Sequence, residues 1–310
     1  MRILLAGGTG MVGRNILEAP GAAAHDILVP TRSELDLFDS GAVAAFIAAH
    51  RPDLIVNAAG RVGGIQANMR DPVAFMVENL DIGRNLVMGA MRAGVPGLLN
   101  LGSSCMYPRA ADNPLREECV LDGAPEPTNE SYALAKIAIA QLCRYVNREH
   151  PELSYKTLIP SNLYGRHDHY DNAGGHMVPM VIAKLHLAKQ TGAAEADIWG
   201  DGTPRREYMY AGDLADAIWE AVARFDTLPE LMNVGPCEDY SIDEYYGAIA
   251  EVVGYSGRFM HDLTKPSGTK QKLLAVGRMK EWGFAPARSL REGMRLAYDY
   301  YLNRPRQPPA

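Results

Sequence analysis

The chain has 310 residues, of which 47% are hydrophobic and 22% are charged, as expected for a globular protein with one large core or two adjoining ones. The 31 basic and 37 acidic residues give a net charge of −6 without a basic cluster, so neither nucleic acid nor a membrane is expected as a partner. The 4 cysteines form no Cys-x-x-Cys pair, which argues against a disulfide framework and a structural zinc site and favours a cytoplasmic location.

The first half of the chain alternates strand-like and helix-like segments. The opening segment 2–6 is apolar, but the glycines that follow it favour a buried strand over a signal peptide, and no apolar run is long enough to span a bilayer. Further strands are predicted at 27–30, 54–58, 98–101 and 155–159, and helices at 11–18, 42–50, 73–93 and 132–150. This order predicts an α/β fold with a doubly wound parallel sheet of the Rossmann type.

The alternation weakens after about residue 160, which indicates a smaller C-terminal substrate domain. Helices are predicted at 213–224, with Asp213 near its N-cap, and at 242–253, capped by Ser241. Loops are predicted at 162–175 and 263–272, and a disordered proline-rich tail at 304–310. We therefore expect residues 1–163 to form the Rossmann domain, with elements near 207–236 returning to it, and residues 164–310 to form mainly the second domain.

A glycine-rich turn joins the first strand to the first helix. Its residues are Gly7, Gly10, Met11, Val12 and Gly13, in the pattern Gly-x-x-Gly-x-x-Gly. Glycine lets a pyrophosphate approach the backbone, and the helix N-terminus supplies free N–H groups. Because the turn lies inside a strand–helix–strand unit, it predicts a dinucleotide site.

The end of the second strand bears on the choice of cofactor. No carboxylate stands there, and Arg32 is present instead. A guanidinium can pair with a 2′-phosphate, which favours NADPH, although a solvated Arg32 is nearly as compatible with the sequence. Asp36 and Leu37 are predicted to lie near the adenine.

Two further motifs indicate oxidoreductase chemistry. Tyr132 and Lys136 are four residues apart in a predicted helix, so they share one face, and the ammonium is expected to lower the pKa of the phenol. Ser103 follows the strand 98–101, at the sheet edge where ligands bind in such folds.

Together with the segment 57–60, these motifs resemble those of the extended short-chain dehydrogenase/reductase family. The resemblance covers nearly the whole chain and implies a Rossmann domain followed by a small nucleotide-sugar domain. It implies that Ser103 binds the substrate carbonyl, that Tyr132 exchanges a proton with it, and that Lys136 tunes Tyr132 and holds the nicotinamide ribose.

Within this family, several segments are similar to the enzymes that epimerise GDP-4-keto-6-deoxy-D-mannose at C3 and C5 and reduce it at C4 with NADPH. The segments are 62–65, 103–108, 127–132, 162–165, 176–179, 199–207 and 265–268. This similarity implies that Cys105 is the base and His176 the acid of epimerisation, with His176 also contacting the cofactor. It implies a substrate site formed by Ser104, Asn162, Trp199, Arg206 and Lys265.

Other interpretations remain open on the sequence. One is a sister enzyme acting on another GDP-4-keto sugar, such as a deoxy-heptose or a colitose precursor; another is a protein that binds NADPH without chemistry. A 4,6-dehydratase is disfavoured because Ser104 and Cys105 stand where carboxylates are usual. His167 and His169 lack a third ligand, so no metal is assigned. The resemblance also suggests a homodimer through the helices 73–93 and 132–150, supported by the apolar stretches 86–88 and 137–140.

Overall fold

A computed structural model of the protein describes residues 1–170, 175–265 and 269–304. Its helices are α1 (Met11–Glu18), α2 (Ser40–His50), α3 (Ile65–Arg70), α4 (Pro72–Arg92), α5 (Glu130–Glu149), α6 (Met177–Thr191), α7 (Ala211–Ala223), α8 (Ile242–Val253), α9 (Gly277–Trp282) and α10 (Leu290–Asn303). Its strands are β1 (Arg2–Ala6), β2 (Asp26–Leu28), β3 (Leu54–Asn57), β4 (Gly97–Leu101), β5 (Ser154–Pro160), β6 (Asn162–Tyr164), β7 (Glu195–Trp199), β8 (Arg205–Arg206), β9 (Tyr208–Tyr210), β10 (Leu231–Val234), β11 (Tyr240–Ser241), β12 (Arg258–Asp262) and β13 (Gln271–Lys272).

A six-stranded sheet forms the centre of the fold. Its order is β10-β5-β4-β3-β1-β2, and every neighbouring pair is parallel. Along β1, Ile3 and Leu5 enter one hydrophobic core, and Leu4 and Ala6 enter the core on the opposite face. Because β1 is buried on both faces, its sequence is continuously apolar. The predicted doubly wound α/β fold is confirmed.

The later part of the chain builds smaller sheets around a second core. These sheets are β11-β8-β13, β12-β7 and β6-β9. The core between them and α6, α8 and α10 is rich in tyrosine and includes Tyr164, Tyr245 and Met294. Helix α8 begins at the predicted cap, since Ser241 accepts a hydrogen bond from the Glu244 N–H.

Four expectations about these elements need correction. Asp213 is not a cap, because α7 begins at Ala211 and the Asp213 carboxylate instead accepts a hydrogen bond from Arg288 at 2.7 Å. Helices α6 and α10 and the pair β7 and β12 were not predicted, and the predicted loops 162–175 and 263–272 contain β6 and β13. Residues 171–174, 266–268 and 305–310 of the predicted loops and tail lie outside the described residues. The apolar stretches 86–88 and 137–140 contribute Leu86, Val87 and Ile139 to the core, whereas Ala138 is exposed, and the dimer stays a prediction.

Over the described parts of the chain, none of the helices combines the length and the hydrophobicity that a bilayer crossing requires.

Candidate active site

The glycines of the turn after β1 differ in how closely the rest of the chain packs against them. Gly7 has φ +82°, and a Cβ there would lie 2.6 Å from the Ala59 nitrogen, while a Cβ on Gly13 would lie 2.3 Å from the Gly7 carbonyl oxygen. The packing of the chain itself therefore requires these two glycines. Gly10 has an extended backbone, and a Cβ there would meet only one atom within 4 Å, the Gly7 oxygen at 3.4 Å.

Glycine at position 10 also suits the N-cap of α1, and it leaves the space above the turn open to close approach by a ligand. The same turn carries the N-terminus of α1, where the N–H groups of Met11, Val12 and Gly13 have no partner inside the helix. An anionic group is suited to this position.

The segment after β2 places Arg32 in the open. Its guanidinium lies 5.3 Å from the centroid of the Phe38 ring. The two nearby carboxylates are occupied locally, because Glu34 accepts hydrogen bonds from Thr31, and Asp36 accepts one from the Phe38 N–H at 3.0 Å. Arg32 is thus the cation that this segment offers to a ligand.

The carboxyl end of β4 and the first turn of α5 bring the predicted catalytic residues together. The Ser103 hydroxyl accepts the Cys105 N–H at 3.2 Å, and Ser103 is close enough to the Tyr132 phenol to affect its pKa. The Lys136 ammonium lies 5.8 Å from the centroid of the Tyr132 ring and donates to the Leu101 carbonyl at 2.9 Å.

The expected lowering of the Tyr132 pKa is wrong for this form of the protein. Burial raises the pKa of the phenol, the charge of Cys105 raises it further, and the hydrogen bond with Ser103 only partly offsets these effects. Burial also lowers the pKa of Lys136 to about 8. Desolvation outweighs the attraction between the two groups, since Lys136 is directed to a backbone carbonyl rather than to the phenol.

Two side chains that the sequence analysis did not assign surround the Cys105 thiol. The Asn129 amide nitrogen lies 3.1 Å from Sγ, and the Lys272 ammonium lies 3.6 Å from it. An amide N–H and an ammonium both stabilise negative charge on sulfur. Nothing local singles out these residues, because Asn129 ends a short 3-10 turn before α5 and Lys272 is one of several lysines between 265 and 272.

The short sheet β11-β8-β13 places a second cation beside Lys272. Arg206 on β8 pairs in register with Lys272 on β13. Between β8 and β9, the buried carboxylate of Glu207 accepts N–H groups of Cys237 and Leu274, each at 2.8 Å, and burial raises its pKa to about 7. Glu207 thereby fixes the strands that carry the two cations.

The remaining predicted substrate residues lie in three places. Asn162 donates to the Glu207 carbonyl at 3.1 Å, whereas Ser104 is buried, with 3% exposure. Trp199 is 44% exposed, and the Lys265 ammonium lies 5.5 Å from the centroid of its indole ring. The structure therefore joins Trp199 with Lys265, and their roles, like that of Ser104, stay predictions.

His176 stands at the N-cap of α6 and faces a carboxylate. Its Nδ1 lies 3.6 Å from Asp168 Oδ1. The two ring nitrogens of His167 are engaged elsewhere, at 2.6 Å from Glu18 and 3.1 Å from the Tyr300 hydroxyl. The structure therefore pairs His176 with Asp168, and the role of His176 in epimerisation stays a prediction.

Comparisons with known proteins place the chain in a family. The NAD dependent epimerase/dehydratase family matches residues 3–235, and the chain belongs to that family. It is 46% identical over 303 residues to a GDP-L-colitose synthase of Yersinia pseudotuberculosis, covering 98% of each chain. It is 44% identical over 301 residues to a GDP-L-fucose synthase of Azorhizobium caulinodans, covering 97% of this chain and 96% of that protein.

One solved structure is similar over the same length. It is a GDP-D-glycero-L-gluco-heptose synthase from Campylobacter jejuni, in the presence of NADPH, with a TM-score of 0.90 and 28% identity. The alignment covers 97% of this chain and 98% of that one.

Proposed function

We propose that this protein epimerises a GDP-4-keto-6-deoxy sugar and reduces its C4 ketone with NADPH, and that GDP-4-keto-6-deoxy-D-mannose is the substrate, giving GDP-L-fucose. The observation that carries the proposal is the placement of the Cys105 thiol, with its Asn129 and Lys272 donors, close to Ser103 and the Tyr132 phenol. This arrangement would put a carbon base next to the proton donor of a ketone reductase. The relatives named GDP-L-fucose and GDP-L-colitose synthases support the same class of substrate.

The residues of the glycine turn fit a dinucleotide cofactor. Gly10 leaves room for a pyrophosphate at the N-terminus of α1, and Arg32 offers a cation to a 2′-phosphate. The heptose synthase structure in the presence of NADPH supports the phosphorylated form. When bound, the cofactor supplies the hydride that reduces C4.

In the reduction step, Ser103 donates a hydrogen bond to the C4 oxygen and Tyr132 gives it a proton. The raised pKa of Tyr132 keeps the phenol protonated, which is the form that a proton donor requires. The alkoxide that forms at C4 is the base that accepts this proton. Lys136, which is buried and held on the Leu101 carbonyl, would be placed to hold the nicotinamide ribose.

In the epimerisation steps, the C4 ketone acidifies the hydrogens at C3 and C5 because each carbanion is an enolate. The Cys105 thiolate removes the proton, and His176 delivers one to the opposite face. Arg206 and Lys272 lie side by side, which suits a diphosphate. We assign residues 1–163 mainly to the cofactor and 164–310 mainly to the sugar nucleotide, in a cytoplasmic enzyme, with Asn162, Trp199 and Lys265 lining the substrate site.

A second candidate is the sister reaction that forms GDP-L-colitose, favoured by the 46% identical relative. The same residues would act, but a 3-deoxy substrate has no stereocentre at C3, so only C5 would be inverted. The test is incubation with NADPH in D₂O, using GDP-4-keto-6-deoxy-D-mannose and its 3-deoxy analogue in parallel, with NMR identification of each product. GDP-L-fucose labelled at C3 and C5 supports the first function, and turnover of the 3-deoxy sugar alone supports the second. Cofactor binding without turnover of either sugar contradicts both.

Replacing Arg32 with aspartate is expected to lower the preference for NADPH over NADH by about 10- to 100-fold, the range of a lost charged hydrogen bond. The carboxylate repels a 2′-phosphate and accepts hydrogen bonds from a 2′-hydroxyl. The measurement is the ratio of kcat/KM for the two cofactors. Arg51→Asp is the matched control, since Arg51 is exposed and its φ of 45° is tolerated by aspartate. An unchanged ratio in Arg32→Asp would leave Arg32 as a surface charge.

We also propose that the chain forms a homodimer through the first turns of α4 and α5. Val73, Met76, Val77 and Leu134 are apolar yet 75%, 37%, 48% and 39% exposed, which is an unusual concentration on neighbouring helices. Light scattering at micromolar concentration should give a mass near twice 33.8 kDa. Val77→Glu should shift the mass towards the monomer, whereas Leu302→Glu, at an exposed apolar position on α10, should not. A monomeric wild-type protein would contradict the proposal.

A further inference from the structure

An unusual carboxylate lies beside His176. The Asp168 side chain is only 2% exposed, and its Oδ1 lies 3.6 Å from His176 Nδ1. The same oxygen accepts the His169 N–H at 2.8 Å, which fixes the orientation of the carboxylate. Asp168 follows β6, and His176 caps α6, so the pair joins two elements of the second core.

The second oxygen of this carboxylate has no partner. Asp168 Oδ2 is buried and accepts no hydrogen bond from any described residue. Among the described residues, His176 is the one basic side chain within ion-pair distance of Asp168. Burying a carboxylate without a full set of donors costs free energy, so its retention calls for a compensating role.

The position of His176 shows what that role is. At the N-cap of α6, the imidazole stands at the positive end of a helix, which disfavours the imidazolium form. An acid that protonates a carbanion near neutral pH must nevertheless carry its proton. A buried negative charge next to Nδ1 supplies the missing stabilisation.

We propose that Asp168 is a positioning residue that holds His176 protonated and orients its Nε2–H towards the sugar. The inference rests on the proposed function of His176 as the acid of epimerisation. The pKa of His176 agrees with this inference. Burial lowers that pKa, but the hydrogen bond and the charge of Asp168 together have a larger opposite effect, so the pKa is raised. Among the described residues, the phenols of Tyr170 and Tyr208 are also influenced by the charge of Asp168, and both have raised pKa values because they are buried. The imidazoles of His167 and His169 flank Asp168 in the sequence.

The first test is the titration of His176 in the ligand-free protein, followed by NMR of ¹⁵N-labelled histidine. Asp168→Asn keeps the size of the side chain and removes its charge, and it is expected to lower the His176 pKa by about one unit. The control is Asp243→Asn, which removes the carboxylate from another His–Asp pair, His261 and Asp243 at 2.8 Å, on the surface. In this control, the His176 titration should be unchanged. An unchanged His176 titration in Asp168→Asn would overturn the proposal.

The second test is a double-mutant cycle on deuterium exchange from D₂O at C3 and C5. Asp168→Asn alone should slow exchange about tenfold, as expected for one lost charged hydrogen bond. In a His176→Asn background it should cost nothing further, because Asp168 acts through His176. The KM of the sugar and the oxidation of GDP-L-fucose by NADP should change little. If Asp168→Asn slows the exchange equally in the wild-type and His176→Asn backgrounds, the role of Asp168 is only structural.

The two tests separate this inference from the proposed function. A wild-type protein that exchanges neither C3 nor C5 contradicts the proposed epimerisation. The NMR titration needs no substrate, and it decides the pairing of Asp168 with His176 by itself.

Discussion

Replacing Tyr132 with phenylalanine is expected to lower the rate of C4 reduction by about 10²- to 10⁴-fold, with little change in NADPH affinity. The substitution removes only the phenolic hydroxyl, whose pKa Ser103 influences. The ring keeps its edge-on packing against Phe75, at 6.4 Å between centroids, and Lys136 stays anchored on the Leu101 carbonyl. Single-turnover loss of nicotinamide absorbance measures the reduction, and a titration of the protein with NADPH measures the affinity.

Tyr145→Phe is the matched control for this experiment. Tyr145 lies on the same helix, α5, but is 49% exposed, so loss of its hydroxyl should leave reduction unchanged. Deuterium exchange at C3 and C5 should persist in Tyr132→Phe, because proton removal from carbon does not use the phenol. Reduction at the wild-type rate in this variant would remove Tyr132 from the mechanism.

The features predicted well from the sequence are those that depend on neighbours along the chain. The glycine turn and the Ser103 and Tyr132 motifs lie at the ends of strands or helices whose patterns are continuous and strong. Ser241 was identified as a cap because a capping box is a local arrangement of four residues. Asp213 has the same chemistry, but its carboxylate accepts hydrogen bonds from Ala287 and Arg288, over seventy residues away in sequence.

The parts of the site that escaped prediction are contacts between distant segments. Lys272 lies on β13, which pairs with β8, and this pairing brings Lys272 next to Cys105, a residue far earlier in the chain. The role proposed for Asp168 depends on the burial of its carboxylate, and a loop-like sequence does not indicate that burial. The Tyr132 pKa was misjudged for the same reason, since helical spacing gives the distance between two charges but not the desolvation of each.

Replacing Cys105 with serine is expected to slow epimerisation by about 10²- to 10⁴-fold while hydride transfer is largely spared. A base for C3 or C5 must have a conjugate acid whose pKa is near the working pH, and a hydroxyl is far too weak an acid to replace the thiol. Asn129 and Lys272, at 3.1 and 3.6 Å from Sγ, stabilise a thiolate but cannot make an alkoxide accessible. Hydride transfer depends on Ser103, Tyr132 and the cofactor, none of which the substitution removes.

The two activities of Cys105→Ser can be measured separately. Deuterium wash-in at C3 and C5 reports the base, and the oxidation of GDP-L-fucose by NADP reports hydride transfer without prior epimerisation. With the 4-keto substrate, the variant should reduce an unepimerised or partly epimerised sugar, giving a GDP-6-deoxyhexose that retains the D-manno configuration at C3, C5 or both. Cys119→Ser is the control, because Cys119 is also a free, partly buried thiol but packs against the main core. If Cys105→Ser exchanges and inverts both centres at the wild-type rate, the thiol is a packing group, and the base must be sought among the other side chains of the pocket.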